Sequence, residues 1–396
     1  MSFAFQSLGE IAEINPSHRE DVNAETQVAF LGMTDVSELG TTTLGESRPY
    51  REVRTGYTPF RSGDILVAKI TPCFQNGKIA QAQLAHEIGA GSTEFHVVRP
   101  GKAVDPRYLL RFLRQEWIRV EGELRMTGSG GQRRVPELYL RQLMVPLPSL
   151  PEQQRIAAAL EQVDALRAKR RESIALLDDL AQSIFLDMFG DPVINMKDWP
   201  MWKLGEMGNL DRGVSKHRPR NDPALLGGDV PLIQTGEVAN SGGYITEFTS
   251  TYSDVGLQQS KLWPAGTLCI TIAANIAKTG ILAFDACFPD SVVGFTGSPA
   301  RVEYVRAWLS FLQETLEASA PESAQKNINL AVLRNLQVPY PGEGMIQAFS
   351  ERVRAVEASK GAHRAHLATL DELFTSLQHR AFSGTLWDHE APGEAA

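Results

Sequence analysis

Residues able to do covalent or metal-assisted chemistry occur in this chain, but not at the spacings such chemistry needs. A common Mg-dependent nuclease site has a lysine two residues after a carboxylate, and none of the eleven lysines has Asp or Glu there. Gly77-Lys78-Ile79 and Gly101-Lys102-Ala103 lack the glycine spacing and the Ser/Thr of a phosphate-cradling loop. Asn15-Pro16-Ser17-His18 is not the Asn-Pro-Pro-aromatic run of an amino-methyltransferase. Gly128-Ser129-Gly130-Gly131 follows no strand of a βαβ unit, which argues against a dinucleotide turn. His363 and His366 have no third ligand and read as a solvated pair on a helix. Cys73, Cys269 and Cys287 are an odd set without metal spacing and read as free thiols. Together these favour a protein that binds, with no catalytic residue and no metal of its own.

Side chains suited to hydrogen bonding cluster instead at two places in each half. Thr71, Gln75, Asn76 and Lys78 follow a buried strand, and Ser129, Gln132, Arg133 and Arg134 precede a long helix. Thr271, Asn275 and Lys278, then Ser323, Gln325, Lys326 and Asn327, take the corresponding places in the second half. Amides, hydroxyls and cations on loops suit phosphate oxygens and base edges. A nearby helix N-terminus adds backbone N–H groups for phosphate. These residues are the candidate binding contacts, although Asn76 before Gly77 fits a plain turn former equally well.

The elements that must position them are duplicated. Leu140–Pro148 (LRQLMVPLP) returns 193 residues later as Leu333–Pro341 (LRNLQVPYP). A helical stripe returns with it: Ile156, Leu160, Val163, Ile174, Leu177 and Leu180 recur as Phe349, Val353, Val356, Leu367, Leu370 and Leu373. Each helix runs about 38 residues, or ~57 Å at 1.5 Å per residue. So long a stripe predicts that the two helices pair, parallel or antiparallel, with packing of each on its own domain as the alternative. Arg167 and Arg170 break the first stripe, and Lys360 and His363 break the second at equivalent places. Asp64–Ile70 and Phe95–Val98 read as strands, and Pro106 to Trp117 as a helix capped by Asp105. Thr267–Ile272 and a helix from Glu303 to Leu316 correspond in the second half, with loop insertions between. The predicted fold is α+β: two mostly β, mixed domains (1–138 and 191–332), each followed by a long helix (139–190 and 333–384), with a flexible acidic tail at 385–396.

At 396 residues the chain exceeds one ordinary domain. A net charge of −8 argues against a protein whose whole surface binds nucleic acid, but leaves room for local basic contacts. No run is long enough to span a membrane and no signal peptide is evident, so the expected compartment is the cytoplasm.

Pro146-Leu147-Pro148, followed by Glu152-Gln153 and Ile156 at the opening of a long helix, resembles the specificity subunit of type I restriction-modification systems. Ala324-Gln325-Lys326-Asn327-Ile328-Asn329-Leu330 and Gln378–Gly384 resemble further phrases of that family, and the likeness covers residues 4 to 386. Two departures stand out: Gly342-Glu343-Gly344-Met345 replaces Glu-Gln in the second copy, and Gln132-Arg133-Arg134 replaces Gln-Lys-Asn in the first. The resemblance implies two target recognition domains on double-stranded DNA, each reading half of a split, asymmetric site. It implies paired helices as spacer and as platform for two modification (methyltransferase) subunits, which would carry S-adenosylmethionine and methylate adenine. Restriction (motor/nuclease) subunits would join them. The alternative is a two-headed protein scaffold that binds no DNA.

Overall fold

A computed structural model describes residues 3–17, 22–129, 131–192, 194–273, 277–319 and 329–386. Two compact units divide the chain: residues 1–169 with 366–396, and residues 170–365. The division falls inside both long helices, the central one at Leu150–Phe189 and the distal one at Glu343–Ser383. Each unit therefore holds one globular domain and a part of each helix.

In the first unit Ala12–Ile14, Phe95–Pro100, Ile65–Ala68 and Ile79–Gln81 form an antiparallel sheet in that order. Ile65–Ala68 is buried at all four residues, which explains its unbroken apolar run. Ile65 and Val67 face a core containing Tyr108 and Phe112, while Leu66 faces another containing Phe60, Phe95 and Val97. A second sheet orders Glu46–Pro49, Gln27–Leu31, Ile88–Gly91 and Thr58–Arg61, its middle pair parallel.

The second unit repeats both sheets. Asn209–Arg212, Val292–Thr296, Leu268–Thr271 and Thr279–Leu282 keep the order of the first, with Tyr244–Ile245 added at the edge. Ser250–Tyr252, Leu226–Leu232, Ala286–Cys287 and Leu262–Trp263 keep the order of the second, again with a parallel middle pair. The repeated Val-Pro phrases are strands: Met144–Pro146 pairs with Phe5–Ser7, and Gln337–Pro339 with Met201–Lys203. The same tyrosine bond locks each, Tyr108 Oη donating to the Pro146 carbonyl at 2.7 Å and Tyr304 Oη to that of Pro339 at 2.6 Å.

The expected helix from Pro106 to Trp117 is two helices, Pro106–Leu113 and Glu116–Leu124. Asp105 caps the first, accepting from the amides of Arg107 and Tyr108. The Gln115 side-chain amide ends it by donating to the Phe112 carbonyl at 3.2 Å. The second domain's counterpart spans Pro299–Ser319, beginning earlier than Glu303.

In both units the long helices run antiparallel. In the first, Arg167 Nε donates to Asp371 Oδ1 at 2.6 Å, and Ile156 and Leu160 share a core with Tyr108, Phe112 and Phe382. In the second, Phe349 and Val353 share a core with Tyr304, Phe185 and Phe189, and Lys360 meets Asp178 at 2.5 Å. Packing on the domain and pairing with the other helix, alternatives in the sequence, are thus one core in each unit. Val163 and Val356 are buried, and Ile174, Leu177, Leu367 and Leu370 half-buried. Leu180 and Leu373 depart from the expected interface at 45% and 44% exposure. Each follows by two residues a carboxylate that pairs across the helices, Asp178 with Lys360 and Asp371 with Arg167, and a residue two further on does not share that helix face.

Candidate nucleic-acid interface

The first domain brings its two candidate clusters together. Thr71 Oγ1 donates to the Gly131 carbonyl at 2.7 Å and accepts from the Arg133 amide at 3.2 Å. The Thr71 amide donates to the Arg133 carbonyl at 3.0 Å. The turn after Thr71, which has Gly77 at φ 74°, is held from the helix side by two arginines. Arg114 donates to the carbonyls of Ile79 at 2.8 Å and Glu38 at 2.9 Å, and Arg119 to that of Gln75 at 3.1 Å. Burial, with Arg111 nearby, pulls the Arg114 guanidinium down to about 10. It remains a cation at neutral pH, so it braces the turn without being offered to solvent.

Several residues picked out by type have partners within the domain. Lys78 Nζ donates to the Met33 carbonyl at 2.9 Å. Arg134 makes a two-pronged pair with Glu94 at 2.9 and 2.7 Å, and its hydrogen bonds hold the Glu94 carboxyl below the usual carboxylate range. Gln75 donates to Glu123 at 3.3 Å. Asn76, Ser129, Gln132 and Arg133 remain exposed, with the Arg133 guanidinium 3.7 Å from Glu123.

Beneath this face lies a pair that the sequence does not announce. His96 Nε2 donates to the Val135 carbonyl at 2.9 Å, and Asn15 Nδ2 donates to His96 Nδ1 at 3.2 Å. Those partners require the neutral ring with its proton on Nε2. Burial pushes the His96 pKa below its ordinary value. Asn15 sits at φ 53°, a left-handed conformation that asparagine tolerates, and accepts from the Val97 amide at 3.0 Å.

In the second domain Thr271 is wholly buried. Its Oγ1 accepts from the Lys278 amide at 3.1 Å, closing the loop between them, so it is a loop brace and not a contact residue. Lys278 is half-buried. Asn275, Ser323, Gln325, Lys326 and Asn327 lie outside the described residues.

One basic segment is absent from the residues chosen by type and place. Arg212, Lys216, His217, Arg218 and Arg220 put five basic side chains into nine residues, and all five are exposed. The density of charge is the signal that marks it in the sequence. His217 Nε2 lies 3.1 Å from Asp222, whose carboxyl is held below its ordinary value by the Ala224 amide first and then by His217.

Among the described residues no group of three or more His, Cys, Asp or Glu is placed to hold a metal ion. Burial pushes the Cys269 thiol up, keeping it protonated and inert. No described helix is long and apolar enough to cross a membrane.

Two like-folded domains with different loops, each closed by parts of two long helices, define a duplicated, two-headed binding protein. The chain belongs to the family of the type I restriction modification DNA specificity domain, whose model matches residues 3–176 and 196–347. The type I restriction enzyme EcoAI specificity subunit of Escherichia coli is 38% identical over 177 residues, 43% of this chain and 30% of that protein. The EcoEI specificity subunit of the same organism is 37% identical over 160 residues, 40% of this chain and 27% of that one. The chain thus spans less than a third of the length of these two relatives. In fold it is similar to the type I restriction-modification S subunit from M. genitalium, with TM-score 0.58, 13% identity and 96% of each chain covered.

Proposed function

We propose that this chain is the non-catalytic DNA-recognition subunit of a type I restriction-modification complex in the cytoplasm. Each domain reads one half of a split, asymmetric duplex site, and the helix pair sets the unread spacer. Two modification subunits dock on the chain and bring S-adenosylmethionine, and motor/nuclease subunits join for restriction. The observation that carries this reading is the repetition of both four-strand orders beneath loops of different sequence. One scaffold used twice with divergent loops suits two different short sequences on one polymer.

Genome-wide adenine methylation tests it, in cells carrying the chain with its modification subunit and in cells without the chain. The expected result is a split motif, methylated once in each half, that vanishes on deletion. Replacing residues 1–138 by those of a relative should change one half of the motif only. Unchanged methylation on deletion leaves the two-headed protein scaffold as the better reading.

A further inference from the structure

We infer that the second domain meets DNA along Arg212–Arg220 and the recess beside it. Arg212, Lys216, Arg218 and Arg220 would meet backbone phosphates, and Gln234 and Ser250 base edges. The inference rests on the reading of the chain as a duplex reader and places the contact on side chains other than those of Thr271 and Lys278.

The charge is in surplus. Arg218 and Arg220 share one carboxylate, Asp290. Arg212 Nε donates to the main-chain carbonyl of the same residue at 2.9 Å, which cancels no charge. Lys216 has no ion pair among the described residues. Of the neighbouring carboxylates, Asp211 is paired by Lys261 and Arg334, and Asp222 lies 3.1 Å from His217 Nε2. A local excess of cations on a chain of net charge −8 calls for an anionic partner.

The segment is also held in shape. The amides of Lys216 and His217 both donate to Gln259 Oε1, at 2.7 and 3.0 Å. Ser260 Oγ donates to the Val214 carbonyl at 2.7 Å, and Arg218 Nη1 to that of Ser215 at 2.6 Å. Cations on a braced backbone lose little freedom on meeting a regular row of phosphates. Beside Arg220 a recess of about 260 Å³ has Leu226, Leu232 and Tyr252 in its wall together with the polar Gln234, Thr235, Ser250 and Ser291. Side chains of this kind read base edges, glutamine suiting adenine.

The test is the affinity of the full chain for a random-sequence duplex across a salt series. Each lost phosphate contact flattens log K against log salt by about 0.9. The Lys216→Gln/Arg220→Gln double variant should therefore flatten the slope by roughly 1.8, with Lys216→Arg keeping that of the parent. Lys216→Gln alone removes no ion pair among the described residues, so its loss of about 0.9 should come with an unchanged melting temperature. In selection from a randomised duplex library, Gln234→Ala should alter one half of the bound sequence and leave the slope alone. No salt-dependent binding by the parent chain would remove the underlying duplex-reading function as well. Parent binding with unaltered slopes in the lysine and arginine variants would overturn this inference only, and an unaltered selected sequence in Gln234→Ala would remove its base-reading part.

Discussion

His96 shows how one residue joins the stability of the first domain to its candidate face. Burial holds its ring neutral in the fold, where Nδ1 accepts from Asn15 and Nε2 donates to Val135, at the start of the segment leading out of the exposed loop. The folded pKa lies below the ordinary value, so the unfolded chain takes up the proton more readily. The stability from this site is present above about pH 6.5, the unfolded value, and is lost as pH falls towards and through the folded value. Urea unfolding of the first domain should show lower stability at pH about 5.5 than at about 7.5, with His titrating between. His96→Ala should lower stability by about 2 kcal/mol at the higher pH, through the unmet Val135 carbonyl and Asn15 amide, and flatten the pH dependence. Parallel pH curves for parent and variant would refute the role. The candidate site is half legible at this scale. Thr71 and Arg133 stand out by type and are joined in the structure, whereas Lys78 and Arg134, which suit DNA equally well by type, have Met33 and Glu94 as partners. Residue type reveals what a side chain can bind. It does not reveal a partner 40 residues away that binds it first.

The long helices are the most legible elements, because an apolar stripe kept in helical register over many turns, and then duplicated, fits neither strand nor loop. The break at Arg114-Gln115 is not legible: beside the Gln115 side-chain amide on the Phe112 carbonyl, it is held by a half-buried guanidinium reaching turn carbonyls that are distant in sequence. The Glu-Gln phrase has a structural meaning that the sequence does not disclose. Gln153 is wholly buried, accepting from the Asp105 amide at 2.8 Å and donating to the carbonyls of Ala103 and Pro148. Ile346 occupies the equivalent buried place in the second copy, and there Arg301 on the neighbouring helix binds Glu343 at the helix start. The departure from the family phrase thus changes how that helix is anchored while keeping where it begins. Direction of pairing needs the structure, since a stripe fits either. Antiparallel pairing puts Phe382 against Tyr108 and Phe112 of the first domain, with ring centroids 5.2 and 5.5 Å apart. Phe382→Ala should therefore destabilise the first unit by about 3–4 kcal/mol through lost burial and the cavity left behind. Hydrogen exchange should quicken across Tyr108–Leu113 while amides of Leu268–Thr271 keep their rates. Equal loss of protection in both sheets would show that the ring does not act locally.

At the scale of the whole molecule, the duplication sets what each half needs from the other. Phe189 and Phe382 stand at equivalent places, 193 residues apart, near the ends of the two helices. Phe382 belongs to the core of the first domain, and Phe189 to that of the second. Neither domain is therefore completed by the helix that follows it. A fragment of residues 1–190 would lack Phe382, Ala381 and Leu386 from its core and leave Phe185 and Phe189 without their partners Tyr304 and Phe349. A second copy of the fragment can supply both deficits, because its own Phe189 can enter the place vacated by Phe382. That exchange is self-complementary, so it closes at two copies. The fragment should sediment as a dimer, its first-domain sheet protected from hydrogen exchange much as in the full chain. The fit should be looser, since Met188 replaces the small, buried Ala381 at the equivalent position. Phe189→Ala removes a ring from each of the two contacts, at about 3 kcal/mol apiece. It should weaken dimerisation by more than about a hundredfold, since every 1.4 kcal/mol is a factor of ten. A folded, protected monomer would show that the first domain does not need the borrowed helix end.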